Sequence, residues 1–293
     1  MNLGPEAGNG EATKEQVRLF WSRNPMFYGS GEVDQLDDEE FRSVCRRLDR
    51  VFYQKTSGTF DAVGAPMYTK VINYEEYRNK RVLEIGFGAG SLLKELYEQG
   101  LSVHGIDLSD THVAFCTRRI ELGDFKAAIQ QGDAEQLPYK DQSFDLVVSH
   151  GVLHHTPDIR RCFDEIHRVL KPGGRMVTML YHRYSFRVLY IDYFGLMRHR
   201  WKHPNKRVFC SLDQAVRWAS DIHDPEQIGA PVAYALTKPE VTQLCSRFSE
   251  VRHMTWDYPD LIDYFPLGIF APACARRWIM GRVGYFLVTT ARR

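Results

Sequence analysis

The chain has 293 residues, 44% of them hydrophobic, and a formal net charge of +1. That is enough apolar material for one large α/β domain with added segments, and it excludes the disordered class. The near-neutral charge gives no reason to expect nucleic acid or a strongly acidic partner. Cys45, Cys116, Cys162, Cys210, Cys245 and Cys274 lie at least 29 residues apart, so there is no CxxC-type metal or redox pair. Scattered single thiols suit a reducing cytoplasm, and a cytoplasmic protein is the expectation.

Residues 1–13 are rich in Gly, Glu and Asn and read as a flexible tail, not as a signal peptide. No apolar run of about 18 residues occurs, so no spanning helix is expected. Residues 14–79 are rich in charges and aromatics and read as helical segments packed on the next domain of the chain. Phe41, Val44, Leu48 and Val51 have helical spacing, and Asn24-Pro25 and Gly29-Ser30-Gly31 are breaks. Residues 80–181 then alternate strands and helices. Arg81–Ile85 reads as a first strand, and Ala89–Gln99 as a helix with a stripe of Leu92, Leu93 and Leu96. Ser102–Ile106 is a second strand, and after it comes a helix capped by Ser109 and running to about Leu122. Phe125–Gln130 and Phe144–Ser149 are the third and fourth strands. Thr156-Pro157 reads as the start of a helix carrying Ile159, Cys162, Phe163, Ile166, Val169 and Leu170. Lys171-Pro172-Gly173-Gly174 stops it before a fifth strand, Arg175–Leu180. Later strand signals are Glu250–Trp256 and Tyr285–Thr290; residues 182–249 are too many for one helix and read as an inserted substrate cap. Alternation at this spacing implies parallel pairing in a doubly wound α/β sheet.

Val82-Leu83-Glu84-Ile85-Gly86-Phe87-Gly88-Ala89-Gly90-Ser91 spans the junction of the first strand and its helix. Glycines there let the backbone turn sharply and let a ligand approach without a Cβ in the way. The pattern is GxGxG, not the GxGxxG of dinucleotide sites, and Glu84 precedes the first glycine by two. A pyrophosphate wants exposed N–H groups and no carboxylate beside it. A ligand with a cationic sulfonium and an ammonium tolerates or wants one, so Glu84 tilts the choice from NAD to S-adenosylmethionine (SAM). Asp107 ends the second strand, 21 residues beyond Gly86, where a carboxylate can accept both hydroxyls of a ribose. Asp133 comes after the third strand and can accept from an adenine amino group, with Ala134 donating its backbone N–H to a ring nitrogen. His150, His154 and His155 leave the fourth strand. All these positions fall at carboxyl ends of neighbouring strands, where open α/β sheets bind ligands.

Taken together, ExGxGxG, GID, GDAExLP, FDLVVSxGVLHH and LKPGG, in this order over about residues 80–181, resemble the class I SAM-dependent methyltransferases. They most resemble the small-molecule branch called methyltransferase type 11. The resemblance implies a Rossmann-like seven-stranded, mostly parallel sheet with the last strand antiparallel. In that reading an N-terminal helical lid precedes the core, the cap lies between the fifth and sixth strands, and residues 250–293 complete the sheet. It also implies SAM contacts at Glu84, Gly86, Phe87, Gly88, Gly90, Asp107, Leu108, Asp133, Ala134 and His150. The reaction it implies is in-line displacement at the SAM methyl group, giving S-adenosylhomocysteine, without a metal. His155 or His154 is the candidate general base for an oxygen acceptor. Phe20-Trp21 through Phe27-Tyr28 reads either as a helix end on the core or as a lid, with Tyr28 or Trp21 facing the sulfonium or the acceptor.

Other readings stay in view. An NAD-linked oxidoreductase shares the fold, and a non-catalytic SAM-binding subunit would keep the motifs. His150 and His154 lack a third ligand for a metal. His199 and His203 read as a solvated helix face around Trp201. Tyr181, Tyr184, Phe186, Tyr190, Tyr193, Phe194 and Trp201 read either as core contacts or as an aromatic pocket for an apolar or planar small-molecule acceptor, of the kind met in natural-product or lipid-like metabolism. Leu261–Arg293, with Arg276, Arg277, Arg282, Arg292 and Arg293, reads as a surface helix and the last strand, with membrane-surface contact as the alternative.

Overall fold

The computed structural model describes residues 13–25, 33–57, 68–185, 187–192, 201, 216, 229–256 and 282–293. Eight strands form one sheet: β1 (Arg81–Ile85), β2 (Ser102–Asp107), β3 (Ala128–Gln131), β4 (Phe144–His150), β5 (Leu170–His182), β6 (Ala235–Leu236), β7 (Ser249–Trp256) and β8 (Phe286–Arg292). Their order is β3-β2-β1-β4-β5-β8-β7, with β6 beside β5. β8 runs antiparallel between β5 and β7, and the other pairings are parallel. The expected mostly parallel sheet with a final antiparallel strand is therefore present. The added strand β6 lies within the stretch read as cap, so residues 229–249 return to the sheet. Thr237 opens helix α6 (Lys238–Leu244) there with a capping box, and Val241 is buried.

Helices form where the apolar stripes require burial. α3 (Ser91–Glu98) buries Leu92, Leu93 and Leu96; α4 (Asp110–Glu121) is capped by Ser109, whose hydroxyl accepts from the His112 N–H. α5 (Ile159–Val169) buries Ile159, Cys162, Phe163, Ile166 and Val169 on one stripe against the sheet. Its cap is Asp158, not Thr156: the Thr156 hydroxyl donates instead to the Leu153 carbonyl at 2.8 Å, while Asp158 accepts from the Arg161 N–H. The third strand also starts three residues later than expected. Phe125 is fully buried below the glycine loop rather than paired in the sheet.

Two N-terminal helices complete the described fold, α1 (Lys14–Arg23) and α2 (Asp38–Ser57). The segment from Tyr68 to Tyr77 packs on the core through Tyr68, Ile72, Tyr74 and Tyr77, all buried. A buried ion network ties α2, α3 and α4 to the glycine loop. Arg119, fully buried, pairs with Asp49 and Asp124 and donates to the Ala89 carbonyl at 2.6 Å; the Ser91 hydroxyl donates to Asp49 at 2.6 Å. Tyr28, Phe27, Phe186, Tyr193, Phe194, His199, His203, Cys210 and Cys274 lie outside the described residues. The other four cysteines are free and buried. Among the described residues no helix is long and apolar enough to cross a membrane.

Candidate active site

The chain's order reverses between β1, which leads to β2 and β3 on one side, and β4, which leads to β5 on the other. Such a switch point opens a crevice at the carboxyl ends of the strands. A cavity of about 230 Å³ occupies it, walled by Glu84 to Ala89 after β1, Asp107 and Leu108 after β2, Asp133 and Ala134 after β3, and His150 to Val152 after β4. Lys14, Val17 and Trp21 of α1 and Leu48 and Phe52 of α2 close it.

The glycine loop carries three left-handed residues, Gly86, Gly88 and Gly90. They serve different ends. A Cβ on Gly86 would come within 2.3 Å of Val152, so this glycine lets the loops after β1 and β4 meet. A Cβ on Gly90 would strike the Cys116 sulfur at 2.7 Å. Gly90 thus packs the loop on α4 and does not line the cavity. At Gly88 no atom lies within 4 Å of a Cβ position, which leaves open space at the point where a ligand would approach the backbone.

Asp107 braces this loop. Its carboxylate accepts from the Gly88 N–H and the Ser109 N–H, each at 2.9 Å, and lies 3.3 Å from His112 Nδ1. Burial alone would raise its pKa. The neighbouring His112, by charge and hydrogen bond, and the two backbone donors outweigh this, so the carboxyl stays below its usual range. Glu84, equally buried, has no such help. Burial first, then the charges of Asp107 and Glu95, push its carboxyl well above the usual range. Its Oε2 has no hydrogen-bond partner. A buried, unpaired acid beside a second carboxylate is costly unless a cation or a donor arrives. A ligand bearing a cationic amine or sulfonium and vicinal hydroxyls fits this wall; a pyrophosphate does not.

Asp133 and Ala134 line the cavity as expected, but Asp133 is already engaged. Lys14 Nζ bridges Asp133 and Glu135, the latter at 2.9 Å, and the Glu135 N–H donates to Asp133 at 2.8 Å. Burial would lower the Lys14 pKa; its two carboxylate partners reverse that and raise it.

The three histidines part company. His150 lines the cavity, and its Nδ1 lies 2.8 Å from the Tyr68 hydroxyl. Burial pushes the His150 pKa down to about 4 and the Tyr68 hydroxyl well up, so the phenol donates to a neutral imidazole. His154 is fully buried, its ring 3.9 Å from that of Tyr181, and it is not part of the cavity wall. Burial, then the charges of His155 and His150, hold its pKa well below the usual value. The expectation of His154 as a base therefore fails on access. His155 lines the cavity with Trp21 packed edge-on at 5.0 Å, and its Nδ1 lies 2.8 Å from the Val232 carbonyl. A carbonyl only accepts, so Nδ1 carries the proton and Nε2 the lone pair of the neutral ring.

Of the aromatic run that begins at the end of β5, Tyr181 lines the cavity, whereas Tyr184 and Trp201 are exposed. Sequence reasoning missed Lys14, Phe52, Tyr68, His112 and Phe286. Lys14 and Tyr68 lie 119 and 82 residues from their partners, and nothing local marks them. His112, three residues after a capping serine, stood one turn from Asp107 and was the one of these within reach.

Three comparisons bear on this site. A family model described as a methyltransferase domain matches residues 83–178. Phosphoethanolamine N-methyltransferase 2 of Caenorhabditis elegans is 35% identical over 102 residues, covering 34% of this chain and 23% of the relative. A sterol 24-C-methyltransferase of Aspergillus fumigatus is 32% identical over 190 residues, covering 58% of this chain and 50% of the relative. The chain thus spans half or less of the length of these curated relatives. Phosphoethanolamine N-methyltransferase 2 of Haemonchus contortus, solved with phosphomonomethylethanolamine and S-adenosylhomocysteine, superposes with a TM-score of 0.56 at 15% identity, over 94% of this chain and 60% of that one. At that identity the likeness concerns the fold. Matched residues, sheet order and the crevice at the switch point agree: residues 83–178 are a methyltransferase domain on the fold of SAM-dependent methyltransferases.

Proposed function

We propose that this protein is a SAM-dependent methyltransferase acting on a neutral small organic molecule with an aromatic or apolar body. The observation that carries the reading is Glu84, a buried carboxyl with an unpartnered oxygen in the cavity wall beside Asp107. When bound, SAM supplies an activated methyl group on a sulfonium. Glu84 would face its cationic portion, Asp107 the ribose hydroxyls, and Asp133 and Ala134 the adenine. Gly88 would give the ligand its close approach to the backbone.

The protein's own contribution is to position the acceptor and exclude water. Trp21, Phe52, Tyr181 and Phe286 supply apolar walls. Lys14 is the one Lys or Arg among the described cavity residues, and it is committed to two carboxylates. That composition supports an uncharged acceptor over a phosphorylated one. For a hydroxyl acceptor, His155 Nε2 would take the proton as the methyl group arrives, its ring held by the Val232 carbonyl. Glu84 and the GxGxG spacing weigh against the oxidoreductase alternative, and nothing in the comparisons supports it.

The test uses SAM carrying a labelled methyl group and a panel of acceptors. Neutral phenols and apolar alcohols are expected to be labelled, and phosphoethanolamine is not. His155→Asn should lower kcat for a hydroxyl acceptor by about 100-fold while leaving SAM affinity unchanged. Labelling of phosphoethanolamine in preference to neutral acceptors would overturn the acceptor class.

A further inference from the structure

A second cavity, of about 310 Å³, lies on the same sheet face at the other end of β5 and β8. Arg175, in its wall, is four residues before Met179, which lines the first cavity, a separation of about 13 Å along the strand. Three adjacent strands and one loop each send a cation to this wall: Arg175 from β5, Arg292 from β8, Arg252 from β7, and Lys70.

The register makes the arrangement unusual. Arg175 and Arg292 are direct cross-strand partners, and Arg252 pairs with Thr290, one same-face step along β8. Like charges placed directly opposite across a sheet are destabilising, so three neighbouring arginines need a reason to be there. Internal pairing covers only part of the charge. Arg292 meets Glu250 at 3.3 Å, where a bulge turns Glu250 to a φ of 50°. Arg175 donates to the Val71 carbonyl at 3.0 Å, which leaves its charge uncompensated. Arg252 is exposed and has no hydrogen-bond or ion-pair partner among the described residues. Among the described residues three arginines against one carboxylate give the wall a net positive charge, and exposed Met254 adds an apolar edge.

We propose that this basic cavity is a binding site for a phosphate-bearing anion, separate from the cofactor cavity. A planar guanidinium matches phosphate oxygens two at a time, which a lysine does not, and arginines on neighbouring strands can hold one phosphate group from more than one side. The proposal does not depend on the methyltransferase reading.

Calorimetric titration of the full chain with pyrophosphate at low salt tests it. Binding is expected with a dissociation constant below about 1 mM. Arg252→Gln changes an exposed, unpartnered side chain and should weaken binding by about tenfold, with Arg175→Gln acting alike. Glu250→Gln removes the competing carboxylate and should tighten binding by about threefold. Asp107→Ala, in the other cavity, should leave it unchanged. A parallel sedimentation with phosphatidic acid/phosphatidylcholine vesicles separates the sources: retention lost in Arg252→Gln points to a lipid headgroup, and pyrophosphate binding without retention points to a soluble phosphate compound. Absence of binding to both probes, or binding that survives both arginine substitutions, overturns the proposal.

Discussion

His150 sits between Tyr68 and the cavity with its pKa pushed down to about 4 by burial, from an ordinary value of 6.5. The unfolded chain therefore binds a proton at His150 over a pH range in which the folded chain does not. Stability contributed by this group is fully present above pH 6.5 and is lost as the pH falls from 6.5 toward 4. A His150→Asn variant, which keeps an acceptor for Tyr68 but does not titrate, should show a shallower fall of Tm over that window. An unchanged slope would mean that the ring is more hydrated than its surroundings imply. The place of Asp107 in the cavity wall was legible in the sequence because it follows from the end of a strand. The division of labour among His150, His154 and His155 was not. Three histidines at the end of one strand and just beyond it look alike until Tyr68, Tyr181 and Val232 select one neutral acceptor, one ring buried away from the cavity and one ring in the cavity wall.

Among the elements, α1 has the most direct bearing on the cavity. It is fastened to α4 at one side, where Arg18 meets Asp110 at 3.0 Å, the Ser22 hydroxyl donates to Asp110 at 2.6 Å, and the Thr111 hydroxyl donates to the Ser22 carbonyl at 2.9 Å. Lys14 fastens its start to Asp133 and Glu135, and Trp21 reaches His155. The helix thus covers the cavity from its Asp133 end to its His155 end. Lys14 is partly exposed, so solvent screening limits the latch to about 1 kcal/mol. Lys14→Met should then speed both entry and release of SAM by about fivefold and reduce the dependence of release on salt. Stopped-flow Trp21 fluorescence reads both rates. Rates that match the wild type at every salt concentration would show that α1 does not gate exchange. That Trp21 walls the cavity could be suspected from aromatics close together in residues 20–28; the Lys14 contact could not, because its partners lie on a loop more than a hundred residues away.

At the scale of the molecule, the sheet was readable because parallel strands are buried on both faces and appear as apolar runs. Their alternation with amphipathic helices leaves few topologies open. β6 escaped notice because two residues, Ala235 and Leu236, carry no periodicity. The buried Arg119 network escaped for the opposite reason. Its partners Asp49, Asp124 and Ala89 come from separate segments, and charge on an amphipathic helix ordinarily faces water. That network holds α2 against the glycine loop, so α2 and this wall of the cavity form one packed unit.

The most direct measurement on the whole chain is isothermal titration with SAM and, separately, with NADH, on the wild type and on Asp107→Ala. The expected result is saturable SAM binding, weakened by about 1–3 kcal/mol in Asp107→Ala through the lost ribose hydrogen bonds and the loosened Gly88 loop, with no heat from NADH. Binding of NADH by the folded protein, or a folded protein indifferent to SAM, would contradict the assignment of this cavity.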